Sequence, residues 1–193
     1  MVVYKNNQSL TEMEILETNR LRLRKLTPMV MDQVFTTMND HSIIDFLGLA
    51  DFESLKKEKE RYKKGLQTYN RSFVNFQLLE KETNRIIGGC GFHTWYPLHD
   101  RAEIGYGLFY DSDKQKGLMT EAVNTVLDYG FTKMNLHRVE ALTATYNTGS
   151  LKILEHFNFT FEGTLRQHYN VNGKMEDSVM YSLLKHEYQN HIS

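Results

Sequence analysis

The residues with the most capacity for chemistry crowd into one stretch of the 193-residue chain, the turn Asp111-Ser112-Asp113-Lys114-Gln115-Lys116-Gly117-Leu118-Met119-Thr120. Ahead of it, Ile104-Gly105-Tyr106-Gly107-Leu108-Phe109-Tyr110 reads as a strand, rich in aromatic and branched residues and ended by Asp111. Behind it, Met119, Ala122, Val123, Val126, Leu127 and Met134 fall on one face of a 3.6-residue repeat, which predicts a helix. A helix opening in this turn points unpaired N–H groups and the positive end of its dipole at two lysines, a place for a phosphate. One favourable charge at an exposed helix start is worth only about 0.3–1 kcal/mol, so several N–H groups and the lysines must act together. A solvated turn in which Gly117 merely starts the helix fits the same residues equally well.

On the strand before the turn, a period of two puts Glu103, Gly105, Gly107 and Phe109 on one face and Ile104, Tyr106, Leu108 and Tyr110 on the other. Two glycines beside a carboxylate leave bare backbone that can admit a ligand's main chain; a bulge accounts for them as well. Glu103 is the candidate base, against the competing reading of a cross-strand ion pair.

Other chemistries are excluded by spacing. Lys116 precedes Gly117, the reverse of the Gly-Lys-Ser/Thr order of a P-loop. Gly105 and Gly107 have no third glycine for a dinucleotide fingerprint. His186 and His191 stand five apart, too many for one face of a zinc helix, and Cys90 and His93 point to opposite sides of a strand. No Gly-x-Ser-x-Gly elbow occurs.

The elements that must hold the turn follow from pattern. Leu21 to Leu26 alternates apolar and basic as a half-buried strand, and Thr27-Pro28 caps a helix with Met31, Val34, Phe35 and Met38 on one face. Ser42 to Asp51 reads as an irregular connection, and Glu53 to Gln67 as a charged, solvated helix. Ser72 to Glu80 and Arg85 to Thr94 form a hairpin around Glu82-Thr83-Asn84, with Gly88, Gly89 and Gly91 marking a bulge or a close backbone approach. Trp95 to Arg101 is a loop. Arg138 to Thr145 is a strand, Asn147 caps a helix through Leu151, Leu154 and Phe157, and Asn172-Gly173 turns a final hairpin. The order predicts an α/β (α+β) fold, a mixed sheet with helices packed on it, in a single domain over 1–193 with 1–16 as an N-terminal extension.

A net charge of −1 gives no global signal for nucleic acid or a membrane surface, and one cysteine gives neither a disulfide framework nor a Cys-rich metal site. No run approaches the ~20 apolar residues of a membrane span, and the N-terminus has no apolar signal core, so a cytoplasmic location is expected.

A strand, a basic glycine turn and Thr120-Glu121-Ala122 on a helix resemble the acetyl-CoA motif of the GNAT N-acetyltransferases. Leu21-Arg22-Leu23-Arg24, Glu103-Ile104-Gly105-Tyr106, Asn147-Thr148-Gly149-Ser150, Phe159-x-x-Glu162-Gly163 and Asn172-Gly173-x-x-x-Asp177 bring the likeness closest to the Rim-type ribosomal-protein N-terminal (alanine/serine) acetyltransferases. Departures are Lys114 and Met119 at the ends of a turn that in the family runs Arg/Gln-x-x-Gly-x-Gly/Ala, Gly107 where this branch has tryptophan, and Asn158 where it has glycine. The resemblance implies a mostly antiparallel sheet with splayed central strands and about four helices. It implies acetyl-CoA as cosubstrate and no metal. The backbone of Leu108, Phe109 and Tyr110 would take the pantetheine amides, and the N–H groups of Gln115, Lys116, Gly117, Leu118, Met119 and Thr120, beside Lys114, the pyrophosphate. Asn147 would bond the pantetheine arm and Ser150 protonate the sulfur, although Asn147 is also a plain N-cap with Ser150 in its first turn.

Direct attack by an amine on the thioester is the implied reaction. An α-amine, with a pKa near 7.7–8.0 against about 10.4 for lysine, is easier to free at neutral pH by roughly 3–4 kcal/mol, which suits a site with no strong base. The implied partner is a protein N-terminus, of ribosomal-protein type, with a small amine as the alternative and no nucleic acid or membrane; the state is a monomer or homodimer. A catalytically silent acyl-CoA-binding module is the competing class.

Overall fold

The computed structural model describes residues 13–66 and 71–191. Eight strands make one sheet: β1 (Ile15–Glu17), β2 (Leu21–Leu26), β3 (Ser72–Glu80), β4 (Ile86–Tyr96), β5 (Arg101–Leu108), β6 (Arg138–Thr143), β7 (Thr160–Val171) and β8 (Lys174–Leu184), in the order β1-β2-β3-β4-β5-β6-β8-β7. Every neighbouring pair is antiparallel except β5 and β6, which run parallel. That pair joins only at Arg101↔Arg138, Ala102↔Val139 and Glu103↔Glu140 before the strands part. The central splay is the feature on which the site depends.

Among the described residues six α-helices accompany the sheet: α1 (Pro28–Thr37), α2 (Asp40–Leu47), α3 (Phe52–Lys63), α4 (Leu118–Thr132), α5 (Thr148–His156) and α6 (Lys185–His191). Two of them correct the sequence reading. Ser42 to Asp51, expected to be irregular, largely forms α2: Asn39 caps it by accepting from the Ser42 N–H, Gly48 ends it at φ 67°, and Ile43 and Leu47 bury its inner side. Lys185–His191, to which the sequence reading assigned no element, form α6. Residues 15–16, expected in an extension, belong to β1, and α3 ends at Lys63, short of Gln67, which lies outside the described residues.

The main core lies between α4 and the sheet. Met119, Ala122, Val123, Val126, Leu127 and Phe131 are buried with Phe76, Phe92, Ala102 and Ile104. A Cβ on Gly130 would sit 2.5 Å from Phe92 Cζ, which is how closely α4 approaches β4. A smaller cluster, Leu26, Val34, Ile43, Leu47 and Leu55, holds α1 to α3 together. The β4 glycines mark close backbone approach: a Cβ on Gly88 would fall 2.2 Å from the Gly107 carbonyl oxygen, and one on Gly91 2.5 Å from Asn75 Cα. Asn172 and Gly173, at φ 53° and 88°, make the expected two-residue hairpin turn.

Candidate active site

Four helices begin with a side-chain cap, Thr27 for α1, Asn39 for α2, Asp51 for α3 and Asn147 for α5. Helix α4 does not: its N-cap is Gly117, at φ 74°. The first helical bond runs from the Glu121 N–H to the Gly117 carbonyl, which leaves the Leu118, Met119 and Thr120 N–H groups ahead of it. Glycine in place of a capping side chain costs only about a few tenths of a kcal/mol. Burying each large side chain on the inner face of α4 returns about 1.5–3 kcal/mol, so packing outweighs the cap and the helix start stays open for an anion. Met119, the departure from the family turn, is only 8% exposed, and core packing takes up most of its side chain. Lys114 Nζ lies 2.6 Å from the Asp111 carboxylate, an exposed pair that constrains it little.

From this turn a cavity of about 840 Å³ follows the gap between β5 and β6 to Glu103 and His93. The Phe109 N–H donates to the Ile87 carbonyl at 2.9 Å, so by strand alternation the Leu108 and Tyr106 main-chain groups face the opposite side, into the gap. Of Leu108, Phe109 and Tyr110, only Leu108 lines the cavity; the side chains of the other two are exposed. An open strand edge, an uncapped helix start and an elongated cleft joining them fit a long diphosphate-bearing thioester. Leu108 would hold its amides, and the N–H groups from Gln115 to Thr120 its diphosphate.

Midway along the cleft, Tyr106 Oη and Ser150 Oγ lie 2.9 Å apart, one from β5 and one from α5. Asn147 Oδ1 accepts the Ser150 N–H at 3.2 Å, so Asn147 is a true cap, and its amide nitrogen remains a donor beside the cavity it lines. Burial pushes the Tyr106 phenol up to about 12.

At the far end stands Glu103, its side chain 15% exposed. Burial raises its pKa and Glu140 nearby adds to this, with His168 offsetting part. Its cross-strand neighbour is His93, with Nδ1 3.8 Å from Oε2; desolvation lowers the imidazole pKa and favours the neutral form. A Cβ on Gly105 would meet His93 Nε2 at 2.7 Å, so Gly105 provides the space in which the ring lies. Tyr169, from β7, completes this end, its phenol raised by burial and then by Glu103. The surrounding acids are engaged: Glu140 by Arg101 and Arg138, and Glu162 by Arg138 and Ser182.

The sequence reading missed Arg20. Its Nη1 donates to the Lys116 carbonyl at 2.8 Å and its Nε to Glu121 Oε2 at 2.7 Å, tying the β1–β2 turn to the start of α4. Glu121 also accepts from the Arg20 N–H and the Thr18 hydroxyl. Burial alone would raise the Glu121 pKa; these bonds outweigh it and lower it. Nothing local in the sequence links residues 101 positions apart. Cys90 is buried, and strand alternation puts His93 on the opposite face of β4, across from Glu103. Among the described residues, no three His, Cys, Asp or Glu side chains are placed to hold a metal, and no helix is long and apolar enough to cross a membrane.

Comparison with known proteins gives this geometry a family. The acetyltransferase (GNAT) domain model matches residues 20–160. An uncharacterized N-acetyltransferase, p20 of Bacillus licheniformis, is 36% identical over 177 residues, 91% of this chain and 99% of that protein. Two solved structures share the fold: a mutant form of the spermidine/spermine N-acetyltransferase SpeG of Vibrio cholerae (TM-score 0.68, 22% identity, 91% and 100% of the two chains) and the ribosomal-protein-S5-alanine acetyltransferase of Vibrio fischeri (TM-score 0.63, 24% identity, 91% and 98%). The chain belongs to the GNAT acetyltransferases, whose fold uses acetyl-CoA as cosubstrate, and is an N-acetyltransferase.

Proposed function

We propose that the protein transfers the acetyl group of acetyl-CoA to a single α-amine, the N-terminus of a protein or peptide, by direct attack in a ternary complex. The two solved structures compared above are named for different acceptors, a polyamine and a ribosomal protein, so the acceptor follows from the site. Two acids line the cavity, Glu103 and Asp113. Asp113 sits at the coenzyme end, held by Arg85 at 2.8 Å. The observation that carries the reading is that, among the described residues, Glu103 is the acid at the acceptor end with no arginine or lysine on it, while Glu140 and Glu162 are neutralised by Arg101 and Arg138. One open carboxylate recognises one ammonium group; a polyamine offers several and is served by several open acids.

Glu103 then takes a proton from the amine nitrogen. Its raised pKa brings it closer to that of an α-amine, near 7.7–8.0, than an ordinary carboxylate would be. The nitrogen forms the new bond to the carbonyl carbon as the carbon–sulfur bond breaks. Ser150 gives its hydroxyl proton to the departing sulfur and is reprotonated by water from the open cleft. Bound as an ammonium group, the amine loses two protons in becoming an amide; one balances the proton gained by the thiol and the other leaves to water by way of Glu103.

The test is a competition. A peptide with a free N-terminus, the same peptide blocked there but carrying lysine, and spermidine are mixed at equal concentration with acetyl-CoA and resolved by mass spectrometry. Acetyl should appear first on the free N-terminus. Faster labelling of spermidine would overturn the proposed acceptor and leave the family assignment standing.

A further inference from the structure

We infer that Tyr106 is a positioning residue that aims the Ser150 hydroxyl at the sulfur of the bound thioester, an inference that rests on the transfer reaction proposed above. Ser150 lies in the first turn of α5, two residues after Thr148 at its start. A serine on a helix can turn its hydroxyl back to a carbonyl of the preceding turn, which would point it away from the cleft. Here its Oγ is instead 2.9 Å from the Tyr106 phenol, across the gap between β5 and α5, and both residues line the cavity. Burial keeps the phenol protonated, and either hydroxyl of the pair can donate; the arrangement inferred here is the one in which Tyr106 donates. With the Tyr106 O–H donating to Ser150 Oγ, the serine's own proton is the one left to point elsewhere, and the cavity is what lies beside it.

Position along the cleft agrees. The anion turn is at one end and the open carboxylate of Glu103 at the other, with the Tyr106 and Ser150 pair between them, where a thioester anchored by its diphosphate meets an amine held by Glu103. Tyr106 is reached from the strand face that carries Ile104 and Leu108 rather than the face of Glu103, so its role is separate from that of the base. Tyr106 forms no bond to substrate and loses no proton; the proton that reaches sulfur is the one on Ser150.

The experiment compares Tyr106→Phe, Ser150→Ala and the double variant in two readouts. Phenylalanine keeps the ring in the core, and melting temperature checks that each variant is folded. In crystal structures of the free proteins, Ser150 should occupy one rotamer on Tyr106 in wild type and turn away or split between rotamers in Y106F. In kinetics, Y106F should lower kcat about 5–30-fold, as expected for one lost orienting hydrogen bond, with the acetyl-CoA KM within about twofold of wild type. The double variant should be no slower than S150A, because a hydroxyl that is gone cannot be aimed. An unmoved Ser150 rotamer in Y106F, an unchanged kcat, losses that multiply in the double variant, or parallel changes in kcat and KM would each overturn the inference. Wild-type protein that turns over no amine would instead remove the proposed reaction, and the rotamer comparison would still decide whether Tyr106 orients Ser150.

Discussion

Replacing Arg20 by alanine should weaken acetyl-CoA binding although Arg20 need not touch the coenzyme. The guanidinium makes two bonds, 2.8 Å to the Lys116 carbonyl inside the anion turn and 2.7 Å to Glu121 in the first turn of α4. A hydrogen bond to a charged group contributes about 1.5–3 kcal/mol. The Arg20 side chain is 49% exposed, so solvent screening reduces the pair together to about 1–2 kcal/mol. That energy holds the turn with its N–H groups converged; without it the ligand must order the turn, and the dissociation constant should rise about 5–30-fold. Calorimetric titration of acetyl-CoA into wild type, Arg20→Ala and Arg20→Lys measures it. Lysine keeps the charge and loses the fork, so it should behave like alanine if geometry is what matters. An alanine variant that binds within twofold of wild type refutes the reasoning, and a lysine variant that restores affinity shows simple charge attraction instead.

Glu103→Gln should lower kcat/KM about 100-fold or more in a thiol-release assay, as for a lost general base. It should also raise the melting temperature at neutral pH by about 1–3 °C. The folded-state pKa of Glu103 lies above its unfolded value, so its contribution to stability is fully present below about 4.3 and lost as pH rises through the folded value; the ionised form at neutral pH is therefore a cost that glutamine removes. Asn147→Ala should cost about 0.5–2 kcal/mol in denaturant unfolding, whereas Asn147→Asp should keep the cap and raise the acetyl-CoA KM by removing the amide donor. A Cβ at Gly88 meets the Gly107 carbonyl oxygen at 2.2 Å, so Gly88→Ala should destabilise by roughly 3 kcal/mol or more, while Gly107→Ala, with nothing within 4 Å of its Cβ, should fold with unchanged or slightly greater stability.

Much of this architecture is written locally. The inward face of α4, Met119 through Leu127, follows from period alone and is buried as read. Asn172-Gly173 dictates its hairpin because both positions need positive φ, and Gly88 and Gly91 announce close strands. Helix α2 was missed because its signals are at its ends, Asn39 and Gly48, and its short apolar run lacks a full second turn of periodicity. The site divides along the same line. The open helix start is visible in Lys116-Gly117 because it is made of consecutive residues. The Tyr106–Ser150 contact, the Arg20 tie and the isolation of Glu103 from arginine are made by residues far apart in sequence, and only the splay of β5 from β6 and the return of α5 bring them together. Strand alternation could have singled out His93, since it places His93 opposite Glu103 once the β4–β5 pairing is fixed.

The proposed transfer depends on where the coenzyme's diphosphate lies. A crystal structure of the protein with coenzyme A tests this most directly. Diphosphate oxygens should lie on the N–H groups between Gln115 and Thr120, the pantetheine arm along Leu108, and the sulfur beside Ser150. A coenzyme bound elsewhere, a turn whose N–H groups are closed by the protein's own side chains, or no binding at millimolar concentration would contradict it.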